Sequence, residues 1–100
     1  MLIIAGYLKV DPARRDEYIS AHQDLLRRGR AAPGCLDLAI SADSLDPGRV
    51  NNFERWESRE HLDAWRKVAA APNTGISFIG GYMMEYTVVD ECPPFDTTTE

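Results

Sequence analysis

The sequence predicts an α+β domain of order βαββαβ, the ferredoxin-like arrangement, with a four-stranded antiparallel sheet and both helices on one face. Three observations point there. Residues 50–65, VNNFERWESREHLDAW, change at Ser58 from strand alternation to helical spacing. Residues 2–10 and 82–90 are apolar on both faces, as strands covered from both sides are. Turn chemistry at Asp11-Pro12, Pro33-Gly34 and residues 44–49 (SLDPGR) separates the remaining segments.

The first strand, residues 2–10, sets Leu2, Ile4, Leu8 and Val10 against Ile3, Ala5 and Tyr7. Asp11 is placed to cap a helix, with Pro12 at its first position, where a missing N–H costs nothing. Tyr18, His22, Leu25 and Gly29 recur at i, i+4, i+7 and i+11, which predicts one helix face running to about Ala32. Residues 35–43 read as a second strand with Leu36, Leu38 and Ile40 inward and Asp37 and Ser41 opposite. The 44–49 turn joins it as a hairpin to a third strand, 50–57. There Asn52, Glu54 and Trp56 share one face, and Asn51, Phe53, Arg55 and Glu57 share the other.

Ser58 is the predicted N-cap of the second helix, Glu60 adds charge to its first turn, and Leu62, Trp65 and Ala69 make its apolar stripe. Residues 70–81, AAPNTGISFIGG, are turn-rich yet carry Ile76, Phe78 and Ile79, which suits a loop packed at a cavity mouth. The last strand is 82–90. Residues 1–90 thus form one domain, and 91–100 a tail that stays weakly ordered unless a partner holds it. Both helices on one sheet face leave the other face bare and apolar, a surface not left to water. A homodimer packed sheet to sheet about a two-fold axis is the economical cover.

One hundred residues hold one domain. With 44% hydrophobic and 27% charged residues, the composition is that of an ordinary globular protein. A net charge of −5 argues against nucleic acid as a partner. The basic run Arg27, Arg28, Arg30 reads as the solvated end of a helix. No apolar run reaches the roughly 18 residues that span a bilayer, so no membrane partner is expected. The N-terminus lacks a basic region and cleavage site, so it reads as a strand and not a signal. Cys35 and Cys92 are too few and too distant for a metal knuckle, so free thiols in a reducing cytoplasm are expected. No metal-ligand spacing, phosphate loop or nucleophile elbow is present.

Asn52 and Trp56 lie four apart on one strand face, about 13 Å at roughly 3.3 Å per residue. An indole and an amide suit a flat, partly polar ligand. A core Trp beside a hydrogen-bonded Asn would show the same pattern, and spacing does not separate the two. His22, beside Tyr18 and Leu25, is a candidate general base or a satisfied core residue. His61, in the first turn of the second helix, is expected to be exposed. Glu54 is either a buried proton acceptor or donor, or an ion-pair partner of an arginine such as Arg66. Tyr18, Trp65 and Phe78 complete the candidate ligand-binding set, and Tyr7, Tyr82 and Tyr86 read as sheet packing.

The βαββαβ order, the Pro33-Gly34-Cys35-Leu36 break and above all NNFERWESREHLDAW resemble the antibiotic biosynthesis monooxygenase domain, over residues 2 to about 89. The resemblance implies a dimeric α+β barrel. It also implies a cofactor-independent oxygenase that converts a polycyclic phenol or anthrone to a quinone with O₂. Asn52 and Trp56 match, in identity and spacing, a pair that borders the pocket in such enzymes. The family's later tyrosine and arginine contributors do not transfer, since Leu62 and Ile76 stand roughly where they would be sought. Heme-degrading relatives need an axial histidine after the second helix, and residues 70–77 contain none. The resemblance therefore implies no heme and no other cofactor. Two further readings stay open: a non-catalytic dimeric binding or stress-associated module, and an isomerase or cyclase acting on a polyketide or lactone.

Overall fold

In the computed structural model, which describes residues 1–95, β1 (Leu2–Lys9), β2 (Cys35–Ala42), β3 (Arg49–Trp56) and β4 (Gly80–Thr87) form one antiparallel sheet. The strand order is β2-β3-β1-β4, with a 3₁₀ turn at Pro12–Arg14 and helices α1 (Arg15–Ala21), α2 (Gln23–Arg30) and α3 (Arg59–Val68). The ferredoxin-like expectation holds in layers and in strand order. The expectation for the tail falls partly on residues 96–100, outside the described residues.

The expected first helix is two helices. Asp11 Oδ1 accepts from the Ala13 N–H at 2.9 Å and opens the segment with a 3₁₀ turn. At His22 the backbone N–H turns back to the Ile19 carbonyl at 3.1 Å, while the ring Nδ1 lies 2.7 Å from the Tyr18 carbonyl. The side chain takes the acceptor that an unbroken helix would give to its own backbone, and the axis bends there. Arg30 is also not free at the helix end. Its Nε donates to the Leu38 carbonyl at 2.7 Å and ties α2 to β2.

Strand β2 carries a second departure. Its pairing with β3 shifts between Cys35 and Asp37, leaving Leu36 as the extra residue of a bulge. Leu36 is consequently 43% exposed and not inward, whereas Leu38 beyond the bulge is buried. The third strand and its helix follow the expected plan within a residue. Ser58 Oγ accepts from the His61 N–H at 3.2 Å, and α3 buries Leu62 and Trp65. Strand β4 is Gly80–Thr87 and not 82–90: Gly80 and Gly81 pair with Lys9 and Leu8, and the pairing ends where Thr87 meets Leu2.

Register assigns the faces. Leu2, Ile4, Gly6 and Leu8 of β1 lie opposite Trp56, Glu54, Asn52 and Val50 of β3, on the side the helices cover. Two apolar clusters form there. Leu2, Ile4, Trp56, Leu62 and Trp65 make one, and Val10, Tyr18 and Val50 the other. The opposite face carries Ile3, Tyr7, Phe53, Tyr82, Met84 and Tyr86, of which Tyr82 is 54% exposed, Met84 44% and Tyr86 48%. That face is as apolar and as open in the single chain as the strand patterns predict. Among the described residues, no helix is long and apolar enough to cross a membrane.

Candidate functional site

The two clusters do not meet in the middle. On β3, the residues between Val50 in one and Trp56 in the other are polar on this face, Asn52 and Glu54. Beneath the α1–α2 bend, over these two polar residues, the packing leaves a gap. The gap is a cavity of about 190 Å³, with Asn52 and Glu54 on its floor. Tyr18 and His22 come from the bend, Leu25 from α2, Leu38 and Ile40 from β2, and Trp65 from α3. A second, more open cavity of about 460 Å³ adjoins it and shares Tyr18 and His22. Residues 71–78 line its outer wall. Phe78 sits there, 55% exposed, with its ring edge-on to Tyr18 at 5.8 Å. The inner chamber alone is smaller than the roughly 300 Å³ at which small-molecule sites begin, while the outer one reaches that range.

Six of the seven candidate site residues therefore gather around these chambers: Asn52, Glu54, Tyr18, His22 and Trp65 at the inner one, and Phe78 at the outer. Trp56 does not line either. Its indole is fully buried, with ring centroid 6.3 Å from that of Trp65 and planes 25° apart, and its Nε1–H donates to Glu54 Oε1 at 3.0 Å. The indole that walls the inner chamber is Trp65's, and Trp56 stands one layer behind it. What separates the two is which one α3 covers, a tertiary fact. The aliphatic walls Leu25, Leu38 and Ile40 had no signal of their own beyond inward-facing periodicity. Asn73 and Thr74 of the outer wall had none.

His22 is 6% exposed, and its ring lies 4.2 Å from that of Tyr18, centroid to centroid. A carbonyl oxygen only accepts, so the Nδ1 bonded to Tyr18 O carries the proton in the neutral ring. Nε2 is left as a lone-pair acceptor without a partner among the described residues. Asn52 uses one amide hydrogen on the Val50 carbonyl at 3.1 Å and keeps the second. Burial pushes the Tyr18 phenol up, so it stays a neutral hydroxyl. The Cys35 thiol is also pushed up, first by burial and then by the charges of Asp37 and Glu54, which keeps it protonated and poorly nucleophilic.

Glu54 does not pair with Arg66. That arginine lies 4.0 Å from Glu85, which Arg59 also engages, and Arg59's hydrogen bond holds the Glu85 carboxyl low. His61 is half-buried and not exposed: its Nδ1 is 2.7 Å from Ser58 Oγ, and its ring packs on Gly34. It lies apart from the inner chamber. Leu62 is sealed in the core, and Ile76 lines the outer chamber. Among the described residues, no group of three or more His, Cys, Asp or Glu side chains is placed to hold a metal ion.

The arrangement offers an amide donor, a proton acceptor and a carboxylate around a small chamber walled on one side by an indole. Several solved structures share its fold. A putative antibiotic biosynthesis monooxygenase from Caulobacter crescentus superposes with TM-score 0.72 at 23% identity, covering 89% of this chain and 90% of that one. A second, from Nitrosomonas europaea, gives 0.69 at 17% identity over 90% and 100%. A heme-degrading protein of Mycobacterium tuberculosis, solved with two hemes in its active site, gives 0.60 at 19% identity over 93% and 100%. At these identities the likeness is one of fold. An uncharacterized protein of Synechocystis is 31% identical over 62 residues, 62% of this chain but 42% of that protein's length. The sequence model of the antibiotic biosynthesis monooxygenase family matches residues 1–71. By that match over most of its length, and by the fold it shares with those structures, the chain belongs to the antibiotic biosynthesis monooxygenase family.

Proposed function

We propose that the chain is a cofactor-independent monooxygenase that oxidises a polycyclic phenol or anthrone to a quinone with O₂, acting as a homodimer in the cytoplasm. One observation carries this reading. A spare amide hydrogen of Asn52 and the free lone pair of His22 Nε2 belong to residues that line the same small chamber. His22 takes a proton from the substrate as general base. Asn52 donates to the oxygen on which the resulting negative charge collects. The electron-rich carbanion form then passes electrons to O₂ directly. One oxygen atom enters as the new carbonyl and the other leaves as water, with the substrate's own two hydrogens as the reductant.

Trp65 borders the ring, Trp56 fixes Trp65 and Glu54 from behind, and Tyr18 and Phe78 stand where the chambers join. The dimer rests on the open sheet face. Tyr82, Met84 and Tyr86 line up there with Ile3, Tyr7 and Phe53. A second copy of the same face buries it symmetrically.

The burial of Trp56 favours a second reading, a dimeric small-molecule-binding module of the same fold without turnover. An oxygen electrode with simultaneous absorbance distinguishes them, using the purified protein and a panel of anthrones and hydroquinones, with air and under nitrogen. The expected result is uptake of one molecule of O₂ per molecule of quinone formed, and no product under nitrogen. No uptake above the protein-free control, across the panel, sinks the oxygenase. Product formed without O₂ moves the assignment to an isomerase or cyclase.

A further inference from the structure

We propose that Glu54 sets the ligand class of the inner chamber, admitting a flat ligand that presents a hydroxyl or other hydrogen-bond donor and rejecting one that presents a carboxylate. This rests on the inner chamber being the ligand site, and not on the reaction performed there. Glu54 lies in cross-strand register between Ile4 and Leu38, both buried, and lines the chamber itself. Its Oε1 accepts from the fully buried Trp56 indole at 3.0 Å, which fixes the carboxylate in place.

Oε2 has no hydrogen-bond partner among the described residues. Nor does a cation reach it. Arg66 and Arg59 engage Glu85, Arg28 holds Asp24, Arg30 is spent on the Leu38 carbonyl, and Arg55 points to the opposite sheet face. An ionised carboxylate only accepts hydrogen bonds. In this partly enclosed chamber it gains from a ligand that donates, and it repels a second negative charge that no counter-ion offsets.

The same geometry limits where a substrate anion can form. Glu54 is two residues from Asn52 on one strand face, about 6.6 Å along it. The oxygen that ionises belongs at the Asn52 and His22 end, away from Glu54, and a neutral hydroxyl belongs at the Glu54 end. The substrate class that fits has oxygen substituents at opposite edges of its ring system, with no carboxylate.

The test compares 1-naphthol with 1-naphthoate, probes of one ring size, by quenching of tryptophan fluorescence and by calorimetry. Wild type is expected to bind the naphthol roughly tenfold or more tighter. In Glu54→Gln the new amide keeps an oxygen for Trp56 and gains a donor for the naphthoate, so the preference shrinks to about threefold or less. Equal binding of the two probes by wild type overturns the proposal without any variant. An unchanged preference in a folded Glu54→Gln protein also overturns it. Absence of binding by either probe overturns it together with the site. A shifted preference in a protein that consumes no O₂ supports it and removes only the oxygenase.

Discussion

A single face of one strand carries three of the candidate site residues. Alternation alone puts Asn52, Glu54 and Trp56 together, and the sheet register confirms that placement. Alternation says nothing about depth. Trp56 is covered by Trp65 and sealed, while Asn52 and Glu54 lie under the α1–α2 bend and face a void. Asn52→Ala removes the donor proposed for the developing oxyanion. It is expected to lower kcat by about 10²-fold while changing the dissociation constant of a product quinone far less. Parallel losses in the two would make Asn52 a binding residue only.

Asp43, which lines neither chamber, gives a pH-dependent contrast. Its carboxylate accepts from Asn51 Nδ2 and from the backbone N–H groups of Asp46 and Leu45, which lower its pKa to about 2. The unfolded chain holds that proton more tightly than the folded one. Its stabilisation is thus complete above the ordinary carboxylate range and vanishes as pH falls through the folded value. Asp43→Ala should melt earlier than wild type at neutral pH. The gap in Tm should close between pH about 4 and about 2.

At the scale of elements, the helix caps were the most legible features. Asp11 and Ser58 cap where a side-chain acceptor precedes a helical pattern. The split first helix and the bulge in β2 share a physical cause: a side chain or an inserted residue competing with backbone pairing. His22 Nδ1 takes a carbonyl out of the helix ladder, and Leu36 drops out of the sheet ladder. Neither event alters the hydrophobic spacing, so periodicity passes over both.

Gly29 records how tightly α2 seats once bent. A Cβ there would lie 2.3 Å from Leu38 Cδ2 and 3.1 Å from Trp65 Cζ2, two residues that wall the inner chamber. Gly29→Ala is expected to destabilise by about 1–3 kcal/mol through overpacking. Thermal unfolding should show Tm lower by on the order of 5–15 °C. Probe binding should weaken as well, because Trp65 must shift.

At the scale of the whole molecule, the proposed dimer rests on the open sheet face. A stable dimer hides about 800 Å² per partner with an apolar centre, and a face bearing Ile3, Tyr7, Phe53, Tyr82, Met84 and Tyr86 is suited to that. Light scattering on wild type should return the mass of two chains, and the double variant Met84→Asp, Tyr86→Lys the mass of one. A wild-type monomer at micromolar concentration would remove the dimer. Composition, strand alternation, turn residues and caps were enough to determine the order of elements, the faces of the sheet and the candidate set on β3, because these follow from local periodicity. Only the packing of α3 on β3 and the bend at His22 decided which indole walls the inner chamber, where the hollow lies and that Glu54 keeps no cation. Those outcomes depend on which side chains from distant segments fill the same space, and no local pattern encodes that.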